Sequence, residues 1–206
     1  ELINTSPFEV KSSAGFDAIA QSIESLISKK SNLESVNYAT KSLNMSLKYF
    51  VDFLEKPNLS NAGKMSIAAN LAGKAINISK TTAQHALSYP FSSHFNLSHG
   101  HAVSLTINQF MKFNYHNHKR SKTNFDLKKR FKTIFKIAKV KDINEFDKLL
   151  VNIKKKARLE NNLKKLSINI YKDYSKIISG VNLLRLKNNP IEIEQSDLKK
   201  ILFSIN

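Results

Sequence analysis

The 206-residue chain carries 33 Lys/Arg against 16 Asp/Glu, a formal charge of +17, with 41% hydrophobic residues and no cysteine. That length buries a real core as one domain. The missing thiols exclude disulfides and cysteine-held metals, so any metal must sit on His, Asp, Glu or amide oxygens. No apolar run approaches the ~20 residues needed to cross a bilayer, and ELINTSPFEV lacks the cationic and apolar segments of a secretory signal, so a cytoplasmic address is expected.

Five glycines and four prolines leave long stretches free for helix. SSAGFDAIAQSIESLISKK places Phe16, Ile19, Ile23 and Ile27 near helical spacing, with Ser12 or Ser13 as the cap. A second helix is predicted from Ser31 to about Lys56, apolar at Val36, Ala39, Leu43, Leu47 and Phe50. Ser60 can cap a third, in which Ala62, Gly63, Ala68, Ala69, Ala72, Gly73 and Ala75 allow close packing. A short helix carries His85 and ends at Pro90; the next starts near His99 and runs through Met111.

Shorter basic helices follow at 124–139, 142–157 and 160–179, then 181–187 and, past the Pro190 turn, 195–204. IEIEQ at 191–195 is the nearest approach to strand alternation, and it is short. The fold class is all-α. These last helices hold most of the charge: residues 111–206 carry 24 Lys/Arg against 9 Asp/Glu, residues 1–110 only 9 against 7. Such asymmetry raises nucleic acid as a partner. Only four cations are arginine, the residue suited to bidentate reading of bases and phosphates. A Lys, Asn and Ile excess also follows from A/T-rich codons, and a solvated basic face is the favoured reading.

Four of the six histidines, His85, His94, His99 and His101, fall within TAQHALSYPFSSHFNLSHGHAV. Asp17 and Gln21 are four apart, as are His85 and Tyr89, so each pair shares a helix face. One Asp and two His from three helices, meeting at one interior point, would leave open the coordination places that catalytic metals need. Spacing alone leaves the alternative of packed or capping histidines open. His94 is expected in an exposed loop, and His101 on a different helix face from His99. His116 and His118 form an H-x-H in a basic turn, expected to be solvated. Neither a Gly-rich phosphate loop nor a G-x-S-x-G elbow is present.

SAGFDAIAQSIES, SIAANLAGKAINISKTTAQHALSYPFSSHFNLSHGHAVSLTINQFMKFN and VNLLRLKNNPIEIEQSDLKKIL, in that order, resemble the C-terminal domain of iron-containing (group III) alcohol dehydrogenases. The specific marks are G-x-D-A at Gly15–Ala18 and the H-x(13)-H-G spacing from His85 to His99. KAINISKTTAQHALSYP and SHGHAVSLT are most similar to phosphonoacetaldehyde-reductase-like members.

The resemblance implies that residues 1–206 are a single dehydroquinate-synthase-like helical domain holding a divalent metal, Fe2+ or Zn2+. It implies a preceding dinucleotide-binding domain for NAD(P), outside this chain, which fits a chain that opens on Glu1. It further implies the metal ligands Asp17, His85 and His99, with Gln21 where the family usually has a fourth ligand, His. An amide oxygen is a poorer ligand than imidazole. Tyr89 stands where many members carry a His near the substrate; its phenol, with an ordinary pKa of ~10, can relay a proton but is a weak base. Lys80, Thr81 and Thr82, at the entry of the His85 helix, are candidates for binding a phosphonate. Small aldehydes or alcohols are the expected substrates, and a homo-oligomer through helical surfaces is compatible with the family. The isolated chain is expected to be inactive. Two alternatives remain: another enzyme of the superfold, dehydroquinate-synthase-like or glycerol-dehydrogenase-like, or a non-catalytic basic helical binding module.

Overall fold

The computed structural model describes residues 2–205, and among them every regular element is helical. A short α1 (Leu2–Thr5) precedes five longer helices: α2 (Phe8–Ile27), α3 (Leu33–Glu55), α4 (Leu59–Ser79), α5 (Ala83–Phe95) and α6 (His99–His116). After a 3-10 turn come α7 (Leu127–Ala138), α8 (Ile143–Lys156), α9 (Ile170–Ser179), α10 (Leu183–Lys187) and α11 (Gln195–Phe203). No helix among the described residues is long and apolar enough to cross a membrane.

Local chemistry sets the helix ends. α2 starts after Pro7, five residues before the expected serine caps. Both serines lie inside the helix: Ser12 Oγ donates to the Ala157 carbonyl at 2.6 Å, and Ser13 Oγ accepts the Gly100 N–H at 3.1 Å. Asn32, not Ser31, caps α3 through a reciprocal pair with Ser35, and Asn58, not Ser60, caps α4. The close face of α4 is built by Ala62, Ala68, Ala72 and Ala75, whereas Gly63 and Gly73 face open space.

Pro90 does not end its helix. Its missing N–H leaves the Ala86 carbonyl without an intrahelical donor, and the Asn182 N–H fills that place from outside at 3.2 Å. Gly180 abuts the Pro90 ring so closely that an added Cβ would lie 2.9 Å from the ring Cβ. α5 therefore continues to Phe95, and Asn96, left-handed at φ 53°, turns the chain into α6. The helix expected over 160–179 begins only at Ile170, because Arg158 and Ser167 adopt left-handed φ of 52° and 57°. IEIEQ forms no strand; Gln195 opens α11.

α6 is the central wall. Val103, Ile107 and Met111 face a core shared with α2, α3, α4, α7 and α8, containing Phe16, Ile19, Ile23, Phe50, Phe131 and Phe146. Ala102, Leu105 and Phe110 face a second core with α5, α9 and α11, containing Leu87, Phe91, Ile177 and Leu202. Burying each large side chain stabilises the fold by roughly 1.5–3 kcal/mol, and both cores clamp α6 against α2 and α5. At the α2–α6 crossing, a Cβ on Gly100 would fall 1.9 Å from the Ser13 carbonyl oxygen, so only glycine permits this approach.

Candidate metal centre

That crossing delivers three side chains to one point. Asp17 from α2, His85 from α5 and His99 from the first position of α6 offer ligand atoms that all lie within 4.8 Å of one another. His85 Nε2 is 3.0 Å from Asp17 Oδ1, and His99 Nε2 is 3.8 Å from the same oxygen. The two imidazole centroids are 5.1 Å apart. His85 is buried, Asp17 is largely covered, and the His99 side chain is 45% exposed, which leaves the cluster one open flank.

His85 is oriented from behind. The wholly buried Glu24 carboxylate pairs with its Nδ1 through Oε2. Through Oε1, Glu24 accepts the Thr82 N–H at 3.0 Å, the Thr82 hydroxyl at 2.8 Å and the His85 N–H at 3.3 Å. A carboxylate from α2 thus occupies the N-terminus of α5, satisfying donors the helix leaves free. With Nδ1 held by a carboxylate, the Nε2 lone pair of a neutral His85 faces Asp17, the arrangement by which proteins aim a metal-ligating imidazole.

Burial opposes a charge on His85, yet the neighbouring Glu24 and Asp17 override it and raise its pKa to about 9. For His99, burial lowers the pKa; Asp17 pulls the other way, and His85 and Arg185 add to the lowering.

Gln21 lies beside the cluster, its Nε2 donating to Asp17 Oδ2 at 2.7 Å. Tyr89, one turn beyond His85, puts its ring 6.3 Å from that of His99. The Lys80–Thr81–Thr82 triplet divides. Thr82 is buried against Glu24, Thr81 is buried with its hydroxyl accepting from Arg185, and exposed Lys80 donates to the Asn77 carbonyl at 2.7 Å. His94 is exposed, and His101 Nε2 bonds the Glu160 carbonyl at 2.7 Å, away from the cluster.

Two participants escaped the sequence reading. Glu24 lies seven residues after Asp17, on the stripe that also holds Gln21, and that i, i+4, i+7 spacing was its visible signal. Arg185, 5.3 Å over the Tyr89 ring, comes from a distant helix and left no local signal.

One carboxylate oxygen and two imidazole nitrogens on an open flank, with a carboxylate behind one imidazole, fit a divalent cation such as Fe2+ or Zn2+. A helical domain with such a centre matches the family of Fe-containing alcohol dehydrogenases, C-terminal part, over residues 11–205, and the chain belongs to that family. Among curated proteins, it is 29% identical over 101 residues to phosphonoacetaldehyde reductase of Streptomyces viridochromogenes, covering 48% of this chain and 25% of that protein. It is 24% identical over 192 residues to 4-hydroxybutyrate dehydrogenase of Clostridium kluyveri, covering 91% and 51%.

Of solved structures, sulfoacetaldehyde reductase from Bifidobacterium kashiwanohense in complex with NAD+ superposes with a TM-score of 0.85 at 24% identity, over 98% of this chain and 51% of that one. The archaeal alcohol dehydrogenase ADH/D1 from a Red Sea brine pool gives 0.88 at 19% identity, over 98% and 52%. The matched region thus spans a quarter to a half of these curated relatives and about half of the solved chains.

Proposed function

We propose that this chain is the metal- and substrate-binding half of an NAD(P)-dependent alcohol dehydrogenase acting as an aldehyde reductase, with phosphonoacetaldehyde or a similar anionic aldehyde as substrate. The observation that carries the reading is the convergence of Asp17, His85 and His99 within 4.8 Å on an open flank. These three hold the cation, Glu24 keeps the His85 ring turned toward it, and Gln21 steadies Asp17 through its amide. When bound, the metal supplies Lewis acidity to the carbonyl oxygen of the aldehyde.

The chain's own residues supply the rest of the site. Tyr89 stands on the exposed side of His99, where its hydroxyl can hydrogen-bond the substrate oxygen and pass it a proton. Thr81 and Lys80 line a cleft beside Arg185. Thr82 acts indirectly, by completing the shell of Glu24. The dinucleotide is held mainly by a second, Rossmann-like domain, as expected if the enzyme is about twice this length. Phosphonoacetaldehyde reductase, sulfoacetaldehyde reductase and 4-hydroxybutyrate dehydrogenase are named for substrates with an anionic end, which supports the substrate class. A cytoplasmic, homo-oligomeric enzyme is part of the proposal.

The test is an assay of the full-length protein, reconstituted with Fe2+ or Zn2+, using NADH and NADPH against phosphonoacetaldehyde, sulfoacetaldehyde and propanal. The reading expects metal-dependent NAD(P)H oxidation that a chelator abolishes, and none from residues 1–206 alone. Activity that persists in chelator, or metal retention without reduction of any aldehyde, overturns it. Duplex DNA and anionic vesicles serve as controls expected not to bind.

A further inference from the structure

α10 places Arg185 at the rim of the metal cluster. Asn182 caps that helix by accepting the Arg185 N–H at 3.1 Å, so the side chain leaves a fixed turn. Its guanidinium donates to the hydroxyl of buried Thr81, and its central carbon sits 5.3 Å from the centroid of the Tyr89 ring. Among the described residues, Arg185 forms no ion pair with Asp or Glu. Beside it opens a cleft of about 570 Å³ whose lining includes Lys30, Lys80, Thr81 and Arg185 together with the apolar Ile76 and Leu184, and holds no carboxylate.

A guanidinium has five N–H donors in a rigid fork that matches oxyanions. Thr81 uses one of them and fixes the plane; Tyr89 supports the face. The remaining donors, with two lysines nearby, form a cationic concavity lacking a counter-charge. The same Tyr89 ring neighbours both Arg185 and His99, so one aromatic side chain links the guanidinium to the metal cluster.

We infer that Arg185 is the specificity-determining anchor for the oxyanion at the far end of the aldehyde, a phosphonate, sulfonate or carboxylate, with Thr81 positioning it and Lys80 and Lys30 supplying long-range attraction. This rests on the aldehyde-reductase reading above. An uncharged alkyl aldehyde leaves the guanidinium unpaired and is disfavoured for that reason.

The test compares wild type, Arg185→Gln and Arg185→Lys in the full-length, metal-loaded enzyme, with phosphonoacetaldehyde and propanal as substrates. Arg185→Gln is expected to lower kcat/KM for the phosphonate by about 100-fold, mainly through KM, and for propanal by no more than about threefold. Arg185→Lys recovers part of the loss, since it keeps the charge but not the fork. Calorimetric titration of residues 1–206 with methylphosphonate gives a second readout: saturable binding, weakened about tenfold or more by Arg185→Gln and about threefold by Lys30→Gln at its exposed position.

Equal losses on both aldehydes, joined by a raised KM for NAD(P)H, would assign the cleft to dinucleotide phosphates and overturn the anchor. Unchanged phosphonate kinetics and unchanged methylphosphonate binding overturn it as well. If the wild-type enzyme reduces no aldehyde, the reductase reading fails, while the titration still decides whether Arg185 binds an oxyanion.

Discussion

Glu24 and His85, 61 residues apart in the chain, form a buried carboxylate–imidazole pair that turns His85 Nε2 toward Asp17 at 3.0 Å. Because Glu24 and Asp17 lie on the same helix, the carboxylate that orients His85 and the carboxylate that faces it move as one rigid unit. Glu24→Gln keeps the shape but removes the charge behind the imidazole. It is expected to lower metal affinity by roughly 10–100-fold, read as metal retained after dialysis against graded chelator. Retention equal to wild type would show that the pair is structural only.

Gln21→His tests the weakest corner of the centre. An imidazole four residues after Asp17, in place of an amide that now donates to Asp17 Oδ2, adds a fourth donor atom, the third nitrogen, on the same face. Metal affinity is expected to rise by at least about tenfold, given imidazole's preference for these cations over an amide. Competitive titration with a chromogenic chelator measures it; a fall in affinity would mean that the Gln21–Asp17 bond matters more than the added ligand.

Gly100→Ala addresses the crossing that brings His99 to Asp17. Its Cβ would meet the Ser13 carbonyl oxygen at 1.9 Å and carbon at 2.8 Å, backbone atoms that cannot rotate away. The helices must separate, at a cost of at least ~2 kcal/mol, and the neighbouring His99 moves with α6. Urea unfolding should show the destabilisation, and metal content should fall with it. Stability within about 0.5 kcal/mol of wild type would contradict the packing described here.

Lys154 supplies a pH-dependent prediction. The residue is 4% exposed, and its ammonium donates to the Ser104 carbonyl at 3.1 Å. Burial, only partly offset by Asp147 and reinforced by Lys112, lowers its pKa from 10.5 to about 8. Between those values the unfolded chain holds the proton and the folded chain does not, so this group's contribution to stability rises with pH from 8 to 10.5 and is lost as pH falls back through that window. The charged form at pH 7 costs on the order of 3 kcal/mol, reduced by the bond to Ser104. Lys154→Met is therefore expected to stabilise the chain by ~1–2 kcal/mol at pH 7 and by much less near pH 10. Equal effects at both pH values in urea unfolding would refute the assignment.

Most helices were legible because their apolar spacing survives in a core with few competing signals: Phe16, Ile19, Ile23 and Ile27 are all fully buried. The errors share a cause, the replacement of a local rule by a distant group. Pro90 looks like a helix end until Asn182 supplies the donor it lacks, and Ser12 and Ser13 look like caps until α8 and α6 claim their hydroxyls. The stretch 160–169 reads as helix, but its three asparagines are poor helix formers and the left-handed turns at Arg158 and Ser167 break it. At the cluster, the family resemblance carried by the H-x(13)-H-G spacing, not spacing alone, points to Asp17, His85 and His99 as proposed ligands. Glu24 left only its place on the Asp17–Gln21 stripe as a signal, because a glutamate in QSIESLIS reads as surface until α5 is packed upon it.

The central claim is that Asp17, His85 and His99 bind one catalytic cation, and anomalous diffraction from crystals of the chain soaked in Fe2+ or Zn2+ tests it most directly. A single strong peak about 2.0–2.2 Å from an Asp17 carboxylate oxygen and from Nε2 of both imidazoles is the expected result. A peak confined to the His116–His118 turn, or no peak between these three side chains at saturating metal, would contradict it.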